Sequence, residues 1–354
     1  MMYKQFFMAA LCAVGLAAAG CSKPDAGAAG GPARGGDNAP VRISVGSYNL
    51  NNLPFFIADA KGYFKDVGLE VKTENFAQGG SKVLQALVAN STDVAVGFYD
   101  HTIQMQAKGK DVVAFVLLSR NSGLVMAGRE DATFDPARPQ TIKGQKVGIT
   151  APGSSSDFFV RHFLAQHDIP VDSISLIGVG SGAAAVAALE QGKIDLLVNY
   201  DPAATLITER KVGKIILDAR SDDGARQVYG GLYPTSVMYA NQSFLDKRPE
   251  AAEKIARAEQ MALKFIADNS AEDIVAALPD SYVSGDRATY ARAVENARAI
   301  FTTDGHFTAA DLETPLKVLR EFNTDVAKAN IDLSRTYTNA FVERAHAAAP
   351  AAQR

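Results

Sequence analysis

Along residues 41–230, short runs of Val, Ile and Leu alternate with stretches whose apolar residues recur at helical spacing, and the pattern comes round twice. The runs predict strands at 41–47, 69–74, 93–97 and 112–118, and again at 146–150, 173–177, 195–199 and 214–218. Between them, residues 81–89 carry Val83, Leu84, Leu87 and Val88 on one helical face, and 183–191 is nearly all Ala with Val186 and Leu189. Continuously apolar strands alternating with helices predict mostly parallel sheets covered on both faces.

The two passes echo each other at an offset of 101 to 104 residues. Phe55-Phe56-Ile57 answers to Phe158-Phe159-Val160, and Gly79-Gly80 to Gly180-Ser181-Gly182. Asp93, leading through Val94-Ala95-Val96 to Tyr99-Asp100, answers to Asp195, leading through Leu196-Leu197-Val198 to Tyr200-Asp201. Such an echo marks one structural unit written twice. The expected fold is α/β: two lobes of about 100 residues, a cleft between them and a hinge. From Pro249 the chain turns to amphipathic helices, at 249–268, 271–277, 287–301, 309–323 and 335–347, and 235–239 reads as a strand returning to the first lobe. The expected boundaries are 41–128 for the first part of lobe I, 129–230 for lobe II, and 231–354 for the return strand and the helices that complete lobe I.

Residues 1–20 read as a secretory signal: Lys4 precedes an apolar run from Phe6 to Ala19, too short for a span of about 20 residues. The order Ala18-Ala19-Gly20-Cys21 resembles a bacterial lipobox, which implies cleavage before Cys21 and its lipidation; a plain signal peptide cut near Gly20 is the alternative. Residues 21–40, mostly small and polar, then form a tether. The expected location is periplasmic, on a membrane anchor, inner or outer. The only cysteines are Cys12 and Cys21, so the body has no disulfide, thiolate metal site or cysteine nucleophile. A net charge of −3 gives no electrostatic footprint for nucleic acid. No metal or cofactor is expected, and the chain is expected to be monomeric.

Ligands of parallel α/β sheets sit at the carboxyl ends of strands, against helix N-termini. Polar and glycine residues collect there. After the first strand come Asn49 and Asn52; after the second, Gln78, Gly79, Gly80 and Ser81; after the third, Tyr99, Asp100 and His101. The second lobe offers Gly153, Ser154, Ser155, Ser156 and Asp157, then Gly180 and Ser181, then Asn199, Tyr200 and Asp201. A Gly-rich turn admits close backbone approach, and free N–H groups at a helix start attract anions, so the loops at 79–81 and 153–156 could grip an anionic head group from opposite lobes. Ser and Gly also serve simply as caps and turns. Tyr99, Tyr200 and Tyr233 stack on a ligand or fill the sheet edge. Asp100 beside His101 would suit an oriented base, but no nucleophile elbow or metal spacing accompanies the pair, and a satisfied polar contact is the expectation. Phe55, Phe56, Phe158 and Phe159 are expected to face their own sheets as core.

Leu53-Pro54-Phe55-Phe56-Ile57-Ala58, Lys61-Gly62-Tyr63-Phe64-Lys65, Gly68-Leu69-Glu70-Val71, Gly79-Gly80-Ser81, Gly153-Ser154-Ser155 and Gly192-Lys193-Ile194-Asp195 together resemble the nitrate/sulfonate/taurine and thiamine-precursor (NMT1/THI5-like) group of periplasmic substrate-binding proteins. The resemblance covers about residues 42–268. It implies a type II periplasmic binding fold, and capture of a small solute for the permease and ATPase subunits of an ABC importer. Asn51-Asn52-Leu53-Pro54 lacks the His and Trp of pyrimidine-binding members, and the cysteine cluster of the fungal pyrimidine synthases has no counterpart here. The Gly-Ser-Ser run favours a sulfonate-, taurine- or carboxylate-like oxyanion. A pyrimidine precursor, riboflavin, an aromatic acid, or a dehydratase-like enzyme on the same fold are the alternatives.

Overall fold

The computed structural model describes residues 39–348 apart from Ser47, Ala77, Gln78 and Ser284; the signal, Cys21 and all but the end of the tether lie outside the described residues. Ten strands build two sheets. β1 (Val41–Val45), β2 (Val71–Asn75), β3 (Val94–Phe98), β4 (Val112–Leu117) and β10 (Ser236–Asn241) form the first, in the order β2-β1-β3-β10-β4. β5 (Val125–Arg129), β6 (Lys146–Ile149), β7 (Ser175–Gly178), β8 (Leu196–Asn199) and β9 (Gly213–Asp218) form the second, in the order β7-β6-β8-β5-β9.

The echo in the sequence is therefore an echo in topology. β1, β2, β3 and β4 correspond to β6, β7, β8 and β9, and one antiparallel strand is wedged into the same place in each sheet. Both sheets are mixed, four strands running one way and one against. The return strand expected at 235–239 is β10. β5 has no counterpart in the strands expected from the sequence: it is the outgoing crossing, which enters the second sheet directly from the first lobe.

The helix Pro249–Asp268 lies against the helix Leu53–Ala60 and β4, burying Ile255, Ala262, Leu263 and Ile266. The other C-terminal helices pack on the first lobe, Arg287–Ala297 through Tyr290, Val294 and Ala297 and Glu313–Phe322 through Leu316 and Leu319, and two of them reach across to the second. Ala340–Ala348 packs on β4 of the first sheet, whereas Arg287–Ala297 meets the helix Ala203–Glu209, and Glu313–Phe322 meets the helix Ser155–Gln166, both of the second lobe. Phe55, Phe56 and Phe159 join the cores of their own lobes. Phe158 does not face its own sheet as expected: its ring packs on His101 at 6.2 Å and Phe322 at 5.7 Å, because the first turn of its helix abuts the other lobe.

Two strands of chain cross between the lobes side by side. Leu118 and Ser119 donate their backbone N–H groups to the Ser236 carbonyl at 2.8 and 3.1 Å, and Thr235 N–H donates to the Ser119 carbonyl at 2.9 Å. The Thr235 hydroxyl donates to the Asn121 carbonyl at 2.7 Å. A pair of adjacent, hydrogen-bonded crossings has the form of a hinge.

Candidate functional site

The carboxyl ends of β1 and β3 face the start of the helix Ser155–Gln166, and a small void of about 20 Å³ lies where they meet. From the first lobe, Asn49, Asn52, Gly80 and His101 line it; Ser154, Ser155 and Tyr200 line it from the second. Such a void holds about one water, so the lobes stand closed upon one another. A solute reaches this place only when they part.

Glycine makes the close approach possible at one point. A Cβ on Gly80 would come within 2.9 Å of His101 Cε1, so only a bare backbone lets the imidazole lie against this turn. Gly46 and Gly97 also line the void, and sequence reasoning passed over both. Their signal was their position, a glycine at or near the carboxyl end of each of two neighbouring strands.

The first-lobe asparagines are held rigidly. Asn49 caps the turn Leu50–Asn52, its side chain accepting from Asn51 N–H at 3.0 Å, and Asn52 Oδ1 accepts from the Ser236 hydroxyl at 2.7 Å. Asp100 and His101 open the helix Asp100–Ala107 and are fully buried. Tyr233 donates to Asp100 Oδ2 at 3.2 Å, its own ring stacked on Tyr229 at 4.2 Å. His101 Nε2 stands 3.9 Å from Asp100 Oδ1, too far for a hydrogen bond. Burial pushes the Asp100 carboxyl up from the usual range, against the pull of His101, Ser155 and Tyr233, and pushes the His101 imidazole down, against the pull of Asp100.

The serine loop of the second lobe is largely spent on itself. Ser154 Oγ donates to the Ala151 carbonyl at 2.7 Å, and Ser156 Oγ accepts from Thr150 N–H at 2.9 Å. Gly153 N–H, a donor an anion would use, is taken by Asp157 Oδ2 at 2.8 Å, and Arg161 holds the other oxygen of that carboxylate at 2.7 Å. Ser155 is the exception, since its buried hydroxyl has no well-formed hydrogen bond among the described residues and faces Asp100.

Other candidates stand elsewhere or in supporting roles. Gly79, at φ +91, turns the chain into its helix with its N–H on the Gly46 carbonyl at 2.8 Å, and Ser81 follows without lining the void. Tyr99 points away from the void, its hydroxyl 2.5 Å from Thr336 Oγ1. Asn199 bridges the Gly180 carbonyl at 3.1 Å and Tyr200 N–H at 3.1 Å; Ser181 lies beside that loop. The Asp201 carboxylate caps Thr205 N–H at 2.9 Å and pairs with Arg220 at 3.1 Å, while its backbone carbonyl accepts from Leu50 N–H of the first lobe at 3.0 Å. Tyr200 rests on Phe98 with ring centroids 5.9 Å apart, so the second lobe touches the first through an aromatic pair. Gln78 lies outside the described residues.

Comparison with known proteins places this architecture. A solved structure from Bordetella bronchiseptica RB50 is 37% identical, covers 88% of this chain and 98% of its own, and superposes with a TM-score of 0.82. The binding protein YtlA of Bacillus subtilis (strain 168) is 27% identical over 70% of this chain and 72% of its own length. The periplasmic nitrate-binding protein NrtA from Synechocystis PCC 6803 shares the fold at a TM-score of 0.68, with 17% identity over 89% of this chain and 90% of its own. A 4-amino-5-hydroxymethyl-2-methylpyrimidine phosphate synthase of Saccharomyces cerevisiae is 23% identical over 61% of this chain and 63% of its own length. The family model described as NMT1/THI5 like matches residues 49–273, and by that match this chain belongs to the NMT1/THI5-like family, on a type II periplasmic binding fold.

Proposed function

We propose that this protein is a solute receptor of an ABC importer. It closes two lobes on a small polar molecule and presents the closed form to a permease and its ATPase. The observation that carries the reading is the convergence of Asn49, Asn52, Gly80 and His101 with Ser154, Ser155 and Tyr200 from the opposite lobe around one buried space beside a two-stranded hinge. A binding protein among the relatives supports a receptor, and a periplasmic nitrate-binding protein on the same fold supports its location. The synthases match at lower identity and over less of their length, so receptor is preferred to enzyme. In this reading Cys21, freed by cleavage after Gly20, carries the lipid that tethers the receptor to the membrane.

An oxyanion is the ligand suggested by the two glycine–serine loops and by the family resemblance. In the 153–156 loop, however, Gly153 N–H and the Ser154 hydroxyl already donate elsewhere and Ser156 Oγ is engaged with Thr150, leaving Ser155 as the hydroxyl the loop offers a solute.

The test is native mass spectrometry of the protein purified without refolding, followed by titration of whatever it retains. Ser155→Ala is expected to weaken binding roughly tenfold, the loss of about 1.4 kcal/mol that one hydrogen bond to a ligand commonly carries, without lowering the melting temperature. Unchanged affinity would remove the site from this interface. Turnover of the retained compound would make the chain an enzyme.

A further inference from the structure

At the void, four buried side chains carry polar atoms with no well-formed hydrogen bond among the described residues: both ring nitrogens of His101 and Ser155 Oγ in its lining, and Asp100 Oδ1 and Tyr239 OH behind that lining. Three belong to the first lobe and Ser155 to the second. They are neighbours. The His101 ring lies 6.5 Å from Tyr239, the Tyr239 hydroxyl stands over void-lining Gly97, and Ser155 faces Asp100. Each such group costs about 1–3 kcal/mol when desolvated without a partner, so four together in one place are a built receptor for hydrogen bonds.

The inventory of the cluster says what it receives. Ser155, Tyr239 and one imidazole nitrogen can donate; Asp100 Oδ1 and the other imidazole nitrogen accept. None of the residues lining the void is Lys or Arg. An ion such as nitrate or a sulfonate has acceptors only. Against the ionised Asp100 carboxylate it would leave that oxygen unanswered and be buried with no Lys or Arg as countercharge, which is costly.

Resting on the receptor reading above, we propose that Asp100 is a specificity-determining residue: it selects solutes that present an N–H or N⁺–H donor beside an acceptor, of the amide or amidine type, and rejects acceptor-only oxyanions. The donor reaches Asp100 Oδ1, while Ser155 and Tyr239 serve the adjacent acceptor. Burial favours the neutral Asp100 carboxyl and so works against the rejection, which belongs to the ionised form; an N⁺–H donor stabilises that ionised form and an anion does not.

The experiment is a thermal-shift and calorimetric titration of the full-length protein with acetamidine, benzamidine, acetamide and nicotinamide against nitrate and ethanesulfonate, at one pH near 7. The wild type is expected to respond to members of the first group and not to the second. Asp100→Asn, close to isosteric, is expected to lose tenfold or more of that affinity while its melting curve remains cooperative. The wild-type ranking decides the question even where this variant fails to fold. Binding of nitrate or ethanesulfonate that Ser155→Ala weakens would overturn the proposal and leave the receptor reading intact. No response to any amide or amidine probe would overturn it as well.

Discussion

Glu259 sits within the helix Pro249–Asp268, fully buried, and neither carboxylate oxygen finds a hydrogen-bond partner among the described residues. Burial first, and then the nearby charge of Asp59, holds its carboxyl well above the usual range. The folded protein therefore keeps a proton here that the unfolded chain gives up near the ordinary glutamate range. The stability tied to that proton is present below the ordinary range and is lost as pH rises towards the folded value, at up to about 1.4 kcal/mol per pH unit. Glu259→Gln should remove this slope. Melting curves at pH 5 and pH 8 are expected to show the wild type falling relative to the variant, and parallel behaviour of the two proteins would refute the assignment. At this scale the sequence named Asp100, His101 and Ser155 as residues of interest, because charged and hydroxyl groups at strand ends are visible in one dimension. Which of the hydroxyls stays available was not visible. Ser154, Ser155 and Ser156 are chemically identical, and only the Thr150–Ser154–Ser156 network withdraws two of them.

Most elements could be read locally. The helix Pro249–Asp268 is bounded as its pattern predicts, starting at a proline whose missing N–H costs nothing there. β5 could not, since Val125–Arg129 is five residues with a glycine near its end. Its partner in the echo is β10, which lies on the other side of the second lobe, so a search at constant offset passes it by. The hinge that β5 and β10 enter makes its own prediction. Thr235→Val keeps the shape and removes the hydroxyl that holds the Asn121 carbonyl, leaving that oxygen buried and unanswered. Destabilisation of about 1–3 kcal/mol in chemical denaturation is expected. A variant as stable as the wild type would mean that the crossing is not pinned there.

Across the whole molecule, closure is supported away from the void as well. The Glu209 carboxylate at the end of Ala203–Glu209 takes hydrogen bonds from Thr289 and Arg292 on the helix Arg287–Ala297, and Asn296 Nδ2 donates to Thr205 at 2.9 Å. His162 joins Glu321 at 2.5 Å on a separate helix pair. These contacts link the lobes without touching the site, so they bias the open–closed equilibrium rather than recognise solute. Arg292→Ala is expected to raise the radius of gyration of the solute-free protein in small-angle scattering and to weaken solute binding with little change in selectivity. Identical scattering profiles would show that this contact does not hold the lobes.

By itself the sequence determined the α/β class, the doubled unit, the returning strand and the family resemblance that the family match then established. Each of these is written in local periodicity or in a repeat, which survive projection onto a line. Tertiary structure alone decided that the outgoing crossing is itself a strand and that two C-terminal helices reach across to the second lobe. It also decided that Phe158 faces across the interface, and that one serine, one carboxyl and one imidazole remain unsatisfied in a common space. Those outcomes depend on which hydrogen-bonding groups find partners and on which surfaces exclude water. Both are settled between residues far apart in the chain, when two lobes close on one another.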